Sequence, residues 1–195
     1  MSKNLKFDRQ EVVQKATDLY WQKGFHGTSM RNLQDVIDMR PGSIYATFGS
    51  KEGLYKESIQ CYADRGLKTL ASCYETTGSP LKALKKFVTM SIINSAESGP
   101  SGMCMLAKTI SELTDDNQPL LDESRRLLNV MENAFTDMLI KAQDCGEINS
   151  SEDPKAVARY IQVQLMGLRT YMRANNNDVQ QIEELIDNIF DKGIL

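Results

Sequence analysis

Few residues in this 195-residue chain are equipped for covalent chemistry. Histidine occurs once, as His26 in a Phe25-His26-Gly27 turn, with no ligand-like neighbour. The four cysteines, Cys61, Cys73, Cys104 and Cys145, are widely spaced and form no CxxC pair, so no metal site is expected. No Ser/His/Asp arrangement, nucleophile elbow, phosphate-binding loop or HExxH pattern is present, and no cofactor is implied. The chemistry on offer is recognition. Residues 28–55, TSMRNLQDVIDMRPGSIYATFGSKEGLY, gather small, polar, basic and aromatic side chains of the kinds that contact phosphates and base edges in duplex DNA.

Helices must position these side chains, because 3.6-residue periodicity recurs along the chain while strand-like alternation is hard to find. Asp8 and Glu11 have capping-box spacing, and Val12, Ala16, Leu19 and Tyr20 then share one face until Gly24. A second helix is expected from about Ser29 to Ile37 with Thr28 as N-cap, and a third from Pro41 to Phe48. Gly49 breaks the chain, and Ser50 caps a long helix from Lys51 to about Tyr74. Two short helices joined by a tight turn and buttressed by a third are the ingredients of a helix-turn-helix. Arg40, Pro41, Gly42, Ser43, Tyr45, Ala46 and Thr47 suit an outward, groove-entering face. Ile44 and Phe48 would anchor inward against Leu33, Val36 and Ile37.

The remainder reads as longer helices: Pro80 to about Ser95, Met103 to Leu113, Pro119 to Gly146, Pro154 to Arg173, and Asp178 to Lys192. The expectation is an all-α protein with an N-terminal three-helix DNA-binding domain (1–50) and a C-terminal helical ligand-binding and dimerisation domain (51–195). Net charge is −3, but residues 1–60 carry nine Lys/Arg against seven Asp/Glu, leaving the deficit to the rest. Phosphate contact needs positive charge at the docking face, not over the whole protein. No apolar run is long enough to span a membrane and the N-terminus lacks a signal-peptide core, so a cytoplasmic protein is expected.

Residues 8–60 resemble the TetR family of repressors. The resemblance is carried by Gly24-Phe25, Thr28-Ser29, Gly42-Ser43-Ile44-Tyr45, Phe48 and Ser50-Lys51-Glu52-Gly53-Leu54 at matching spacing. It implies a sequence-specific regulator that binds palindromic double-stranded operator DNA and is released by a small-molecule or electrophile inducer. Thr28 and Ser29 would touch phosphate at a helix N-terminus, as would Tyr45 and Lys51 from their helices. Arg40, Ser43 and Thr47 are the candidates for base edges. Where many relatives have Ala-Gly-Val-Ser in the turn, this chain has Ile37-Asp38-Met39-Arg40, without the usual glycine.

A short recognition helix makes few contacts, which favours a homodimer on two half-sites. The last two long helices offer Gly167, Leu168, Tyr171, Leu185, Ile189 and Phe190 for the interface. The resemblance pairs these helices into a four-helix bundle with their symmetry mates. It also implies an inducer cavity, for which Phe87, Met90, Met105, Met131, Phe135 and Gln164 are the candidates; the thioethers would suit an ordinary core equally. One branch of the family senses electrophiles or oxidants through a cysteine directly after a glycine. Here Met103 follows Gly102 and Cys104 comes one position later, an offset of about 100° around a helix. Cys104 is thus a thiol sensor or a buried, inert cysteine. An enzyme would lack any visible acid/base pair, and a helical adaptor would leave residues 28–55 unexplained.

Overall fold

Short-range signals set most helix ends, and they do so from the first turn. Asp8 accepts from the N–H groups of Gln10 and Glu11 and starts α1 (Arg9–Lys23). Gly24, at φ +80°, closes it by donating to Tyr20 O. The cap of α2 (Met30–Ile37) is Ser29, not Thr28: Ser29 Oγ accepts from Asn32 N–H, while Asn32 Oδ1 accepts from Ser29 N–H. α3 (Pro41–Phe48) opens on a proline whose missing donor no helix would have used there. Ser50 caps α4 (Lys51–Thr77), and α5 (Pro80–Glu97), α6 (Met105–Glu112), α7 (Gln118–Asp144), α8 (Pro154–Ala174) and α9 (Val179–Asp187) follow. A 3-10 turn, Asp115–Asn117, leads into α7, and a π turn, Asn188–Gly193, follows α9. This computed structural model describes residues 8–97, 101–175 and 178–193, which contain no strand.

The turn between α2 and α3 solves its missing glycine with Asp38, the one non-glycine residue at positive φ (+53°) among those described. A short polar side chain tolerates this left-handed conformation better than most L-residues. Met39 is buried beside it, with Leu33, Ile37, Ile44 and Phe48. Val36, expected inward, is 40% exposed; the short helix buries Leu33 and Ile37 and turns Val36 away.

Two cores form. The first packs α1–α3 onto α4 as far as Ala63 and takes in Met105, Leu106 and Leu113 around α6 and Leu120, Leu121 and Leu127 of α7. The second joins the far half of α4, from Leu70, to α5, α7, α8 and α9. α4 therefore runs through both cores, and α6 belongs with the first despite its place in the chain. Among the described residues no helix is long and apolar enough to cross a membrane, and no cluster could hold a metal ion.

Candidate nucleic-acid interface and cavity

α3 is held by Ile44 and Phe48, both buried, and presents its other sides to solvent. Arg40, Pro41, Gly42, Ser43 and Ala46 are exposed, and Tyr45 is 48% exposed. Thr47 is half-buried, and its carbonyl accepts from Arg9 Nη1 at 3.3 Å. The Arg9 guanidinium also stacks over the Phe48 ring at 4.7 Å and pairs with Glu57, tying α1, α3 and α4 together. No ion pair engages Arg40 among the described residues, so its charge is available to an outside anion. Arg31, in the first turn of α2, is likewise exposed and without an ion pair there. In the sequence Arg31 belongs to no motif and is marked only by its place two positions after Ser29.

Two of the expected phosphate contacts serve the fold instead. Thr28 is fully buried, and its hydroxyl donates to Gly24 O at 2.7 Å, because the chain has to turn back sharply between α1 and α2. Ser29 is exposed, but its hydroxyl is engaged with Asn32. Lys51 is half-buried: Nζ donates to Phe25 O at 2.7 Å and sits 4.3 Å above the centre of the Phe25 ring. Burial lowers its pKa, partly offset by Glu52 and Glu112.

The turn that Lys51 holds is held from the other side by α6. The Glu112 carboxylate accepts from Phe25 N–H at 3.1 Å and His26 N–H at 2.7 Å. Lys108 Nζ donates to Trp21 O and Gln22 O, the last carbonyls of α1, at 3.1 and 2.9 Å. A cation on a helix C-terminus is favourable for both the hydrogen bonds and the dipole. Gly24 is required here twice over: its φ is left-handed, and a Cβ would run into the Glu112 carboxylate. Tyr55 of α4 shares a 2.7 Å hydrogen bond with Thr109, and burial pushes its phenol up to about 12.

The N-terminal end of α6 borders a cavity of about 280 Å³. Of the residues expected to line it, Phe87, Met90, Met131 and Phe135 do so, with Phe87 and Phe135 edge to face at 5.6 Å. Met105 does not: it is fully buried in the first core, while its neighbour Leu106 takes the cavity position. Nor does Gln164; the helix phase of α8 gives that place to Gln162, two residues earlier. Arg169 and Tyr62 also reach the wall and were not foreseen. Cys104, the residue capping α6, is half-buried in the same wall, with its thiol next to Tyr62 and Arg169. Trp21 reaches the cavity from α1, its Nε1 donating to Met103 O at 2.6 Å and its ring edge-on to Tyr62.

Three of the expected interface residues are spent inside one chain. Leu168, Ile189 and Phe190 are buried in the second core, where α9 packs on α5 and α8. Leu185 is half-buried, and Gly167 and Tyr171 remain exposed. Val163, 59% exposed, joins them on α8. The apolar density at the end of the chain thus serves mainly the monomer.

The family model described as "Bacterial regulatory proteins, tetR family" matches residues 12–58, and "Tetracyclin repressor-like, C-terminal domain" matches residues 80–187. YezE, an uncharacterized HTH-type transcriptional regulator of Bacillus subtilis (strain 168), is 23% identical over 188 residues, 96% of each chain. The HTH-type transcriptional repressor ComR of Escherichia coli (strain K12) is 26% identical over 164 residues, 83% of this chain and 78% of its own. A cysteine-substituted TetR family transcriptional regulator CifR, complexed with 26bp double-strand operator DNA, has the same fold at a TM-score of 0.85. That likeness covers 98% of this chain and 99% of the other at 19% identity. One family model takes in the helix-turn-helix and the other the helices around the cavity: the chain belongs to the TetR family of bacterial regulatory proteins.

Proposed function

We propose that this DNA-binding transcriptional regulator is a homodimeric cytoplasmic repressor that grips a palindromic operator and lets go when a small molecule fills the cavity. One observation carries the reading: α6 borders the cavity at Leu106, and through Lys108 and Glu112 it holds the α1–α2 turn at its other end. On DNA, Arg40 and Ser43 would read base edges from the N-terminal end of α3, with Thr47 further along. Tyr45, Ser29 and Arg31 would contact the backbone. A dimer must present two such helices about one helical turn of DNA apart, roughly 34 Å. A ligand that shifts α6 moves the turn with it and spoils that spacing; by linkage, operator binding weakens ligand binding by the same factor.

Selection of bound sequences from a random duplex pool, at near-physiological salt, should return a palindrome. Arg40→Ala should relax preference at one base pair per half-site, costing about 1–3 kcal/mol, while Tyr45→Ala should weaken all sequences alike. If the folded, ligand-free protein enriches no sequence, the reading fails.

The dimer surface we assign is the exposed side of α8 around Val163, Gly167 and Tyr171, where Gly167 has open space for a partner helix. Val163→Glu should yield a folded monomer by sedimentation, with operator affinity falling at least tenfold. A Val163→Glu dimer of unchanged stability would place the interface elsewhere.

Glu112→Gln removes the charge that accepts from Phe25 and His26 while keeping the side-chain shape. The variant should still bind ligand, yet ligand should shift its operator affinity several-fold less than in the parent. Undiminished coupling would remove α6 from the route.

Cys104 gives a second entry to the same mechanism, because its thiol lies in the cavity wall at the start of α6. If oxidants or electrophiles also release DNA, Cys104→Ser should abolish that response and spare release by ligand. Unchanged release by electrophiles in Cys104→Ser would exclude this route.

A further inference from the structure

The longer helices around the cavity line it with stripes of side chains. Tyr62, Gly66 and Thr69 stand on α4, and Leu128, Met131 and Phe135 on α7. Spacings of three, four and seven residues put each set on one helix face, and two turns of helix span about 10 Å. The middle of the α4 stripe is a glycine. A Cβ on Gly66 would lie 3.5 Å from Met131 Cε and 3.6 Å from its Sδ, in ordinary contact. A longer side chain there would compete with Met131 for the space between α4 and α7.

The charges that border the cavity belong to two arginines, and both are engaged within the chain. Arg65 Nη1 pairs with Asp18 at 2.6 Å, and Nη2 donates to Gln14 O at 3.2 Å. Arg169 donates through Nε and Nη2 to Ser91 O at 2.9 and 2.7 Å and through Nη1 to Tyr62 Oη at 2.8 Å. The Cys104 thiol lies against Tyr62 and Arg169 as well. A ligand carboxylate would have to displace these bonds. An ammonium would find no counter-charge, because among the described residues no Asp, Glu, Lys or His borders the cavity.

The uncharged polar groups are similarly occupied. Thr69 donates its hydroxyl to Arg65 O at 2.9 Å, and Gln162 Nε2 donates to Leu128 O at 3.2 Å. Burial pushes the Tyr62 phenol up to about 12, so the wall gains no negative charge there at neutral pH. An ion entering this cavity would give up its water for no new partner, which is costly.

What the wall offers instead is aromatic ring and thioether. Trp21 and Tyr62 pack edge to face at 5.1 Å, and Phe87 and Phe135 do so at 5.6 Å. A guest ring can join either pair in the same kind of contact, and Met90, Met131 and Met166 supply sulfur–aromatic contacts. An apolar void of about 150 Å³ is enough for benzene. At about 280 Å³ this one has room for two fused rings.

We propose that the ligand of this cavity is an uncharged aromatic molecule the size of naphthalene, held by ring and thioether contacts and by no ion pair. The inference rests on the reading of the cavity as the effector site and adds the chemical class of the effector.

Equilibrium dialysis of the full chain against three probes of one shape tests this: 2-methylnaphthalene, 2-naphthoate and 2-naphthylmethylammonium. The uncharged probe should bind in the micromolar range, and each ion at least tenfold more weakly. Gly66→Ala suits a helix better than glycine does and should fold, binding 2-methylnaphthalene several-fold more weakly. Gly66→Leu should abolish that binding while circular dichroism shows the parent's helix content; should it fail to fold, Gly66→Ala decides. Three results overturn the proposal: either ion binding as tightly as 2-methylnaphthalene, unchanged affinity in the bulkiest Gly66 variant that folds, or no retention of 2-methylnaphthalene up to its solubility limit. Release of the selected palindrome is followed in the same samples. Binding of 2-methylnaphthalene without release upholds the ligand class and defeats the effector reading. Release by 2-naphthoate alone, lost in the same Gly66 variant, upholds the effector reading and overturns the ligand class.

Discussion

The peptide groups around Phe25 are the point on which the two halves of this molecule depend. Phe25 N–H goes to the Glu112 carboxylate and Phe25 C=O receives the Lys51 ammonium, so opposite charges grip one residue from α6 and from α4. Charge-assisted hydrogen bonds of this kind are about twice as strong as neutral ones. The grip also explains the residues around it. Gly24 makes room for the carboxylate, and Thr28 spends its hydroxyl closing the turn. Because that turn delivers the chain to α2, the orientation of α2 and α3 depends on a contact made by a residue 87 positions downstream.

The cavity is the other end of the same arrangement. Its walls come from α1 and from α4 to α8, and the polar groups in them are set among aromatic and thioether side chains. A close-packed interior does not deform continuously; filling a void shifts whole elements. α6 is short, has no side-chain cap at its start, and lies between the void and the turn. α4, by contrast, is 27 residues long and anchored in both cores. α7 also enters both cores, whereas the buried residues of α6 belong to the first alone.

The fold was largely legible because its signals are local. Asp8, Ser50 and Pro41 mark helix starts whatever surrounds them, and α3 falls on the residues that its proline and Gly49 predicted. Side-chain roles that depend on tertiary contacts were not. Thr28 and Lys51 look like phosphate ligands by type, and only the packing of α6 against the turn shows what they hold. Glu112 gives no hint in the sequence, being one acid on a short helix. Gln164 and Met105 missed the cavity by one or two residues, the error expected when helix phase is known but neighbours are not. Ile189 and Phe190 were assigned outward because apolar density alone does not say whether a chain covers itself or a second copy.

Trp21 is the only tryptophan in the chain, and it stands in the cavity wall with its indole N–H on Met103 and its ring against Tyr62. Its intrinsic fluorescence comes from a single site, at the junction between α1 and the void. The protein therefore carries its own unlabelled optical probe, placed where the cavity meets the first helix of the DNA-binding region.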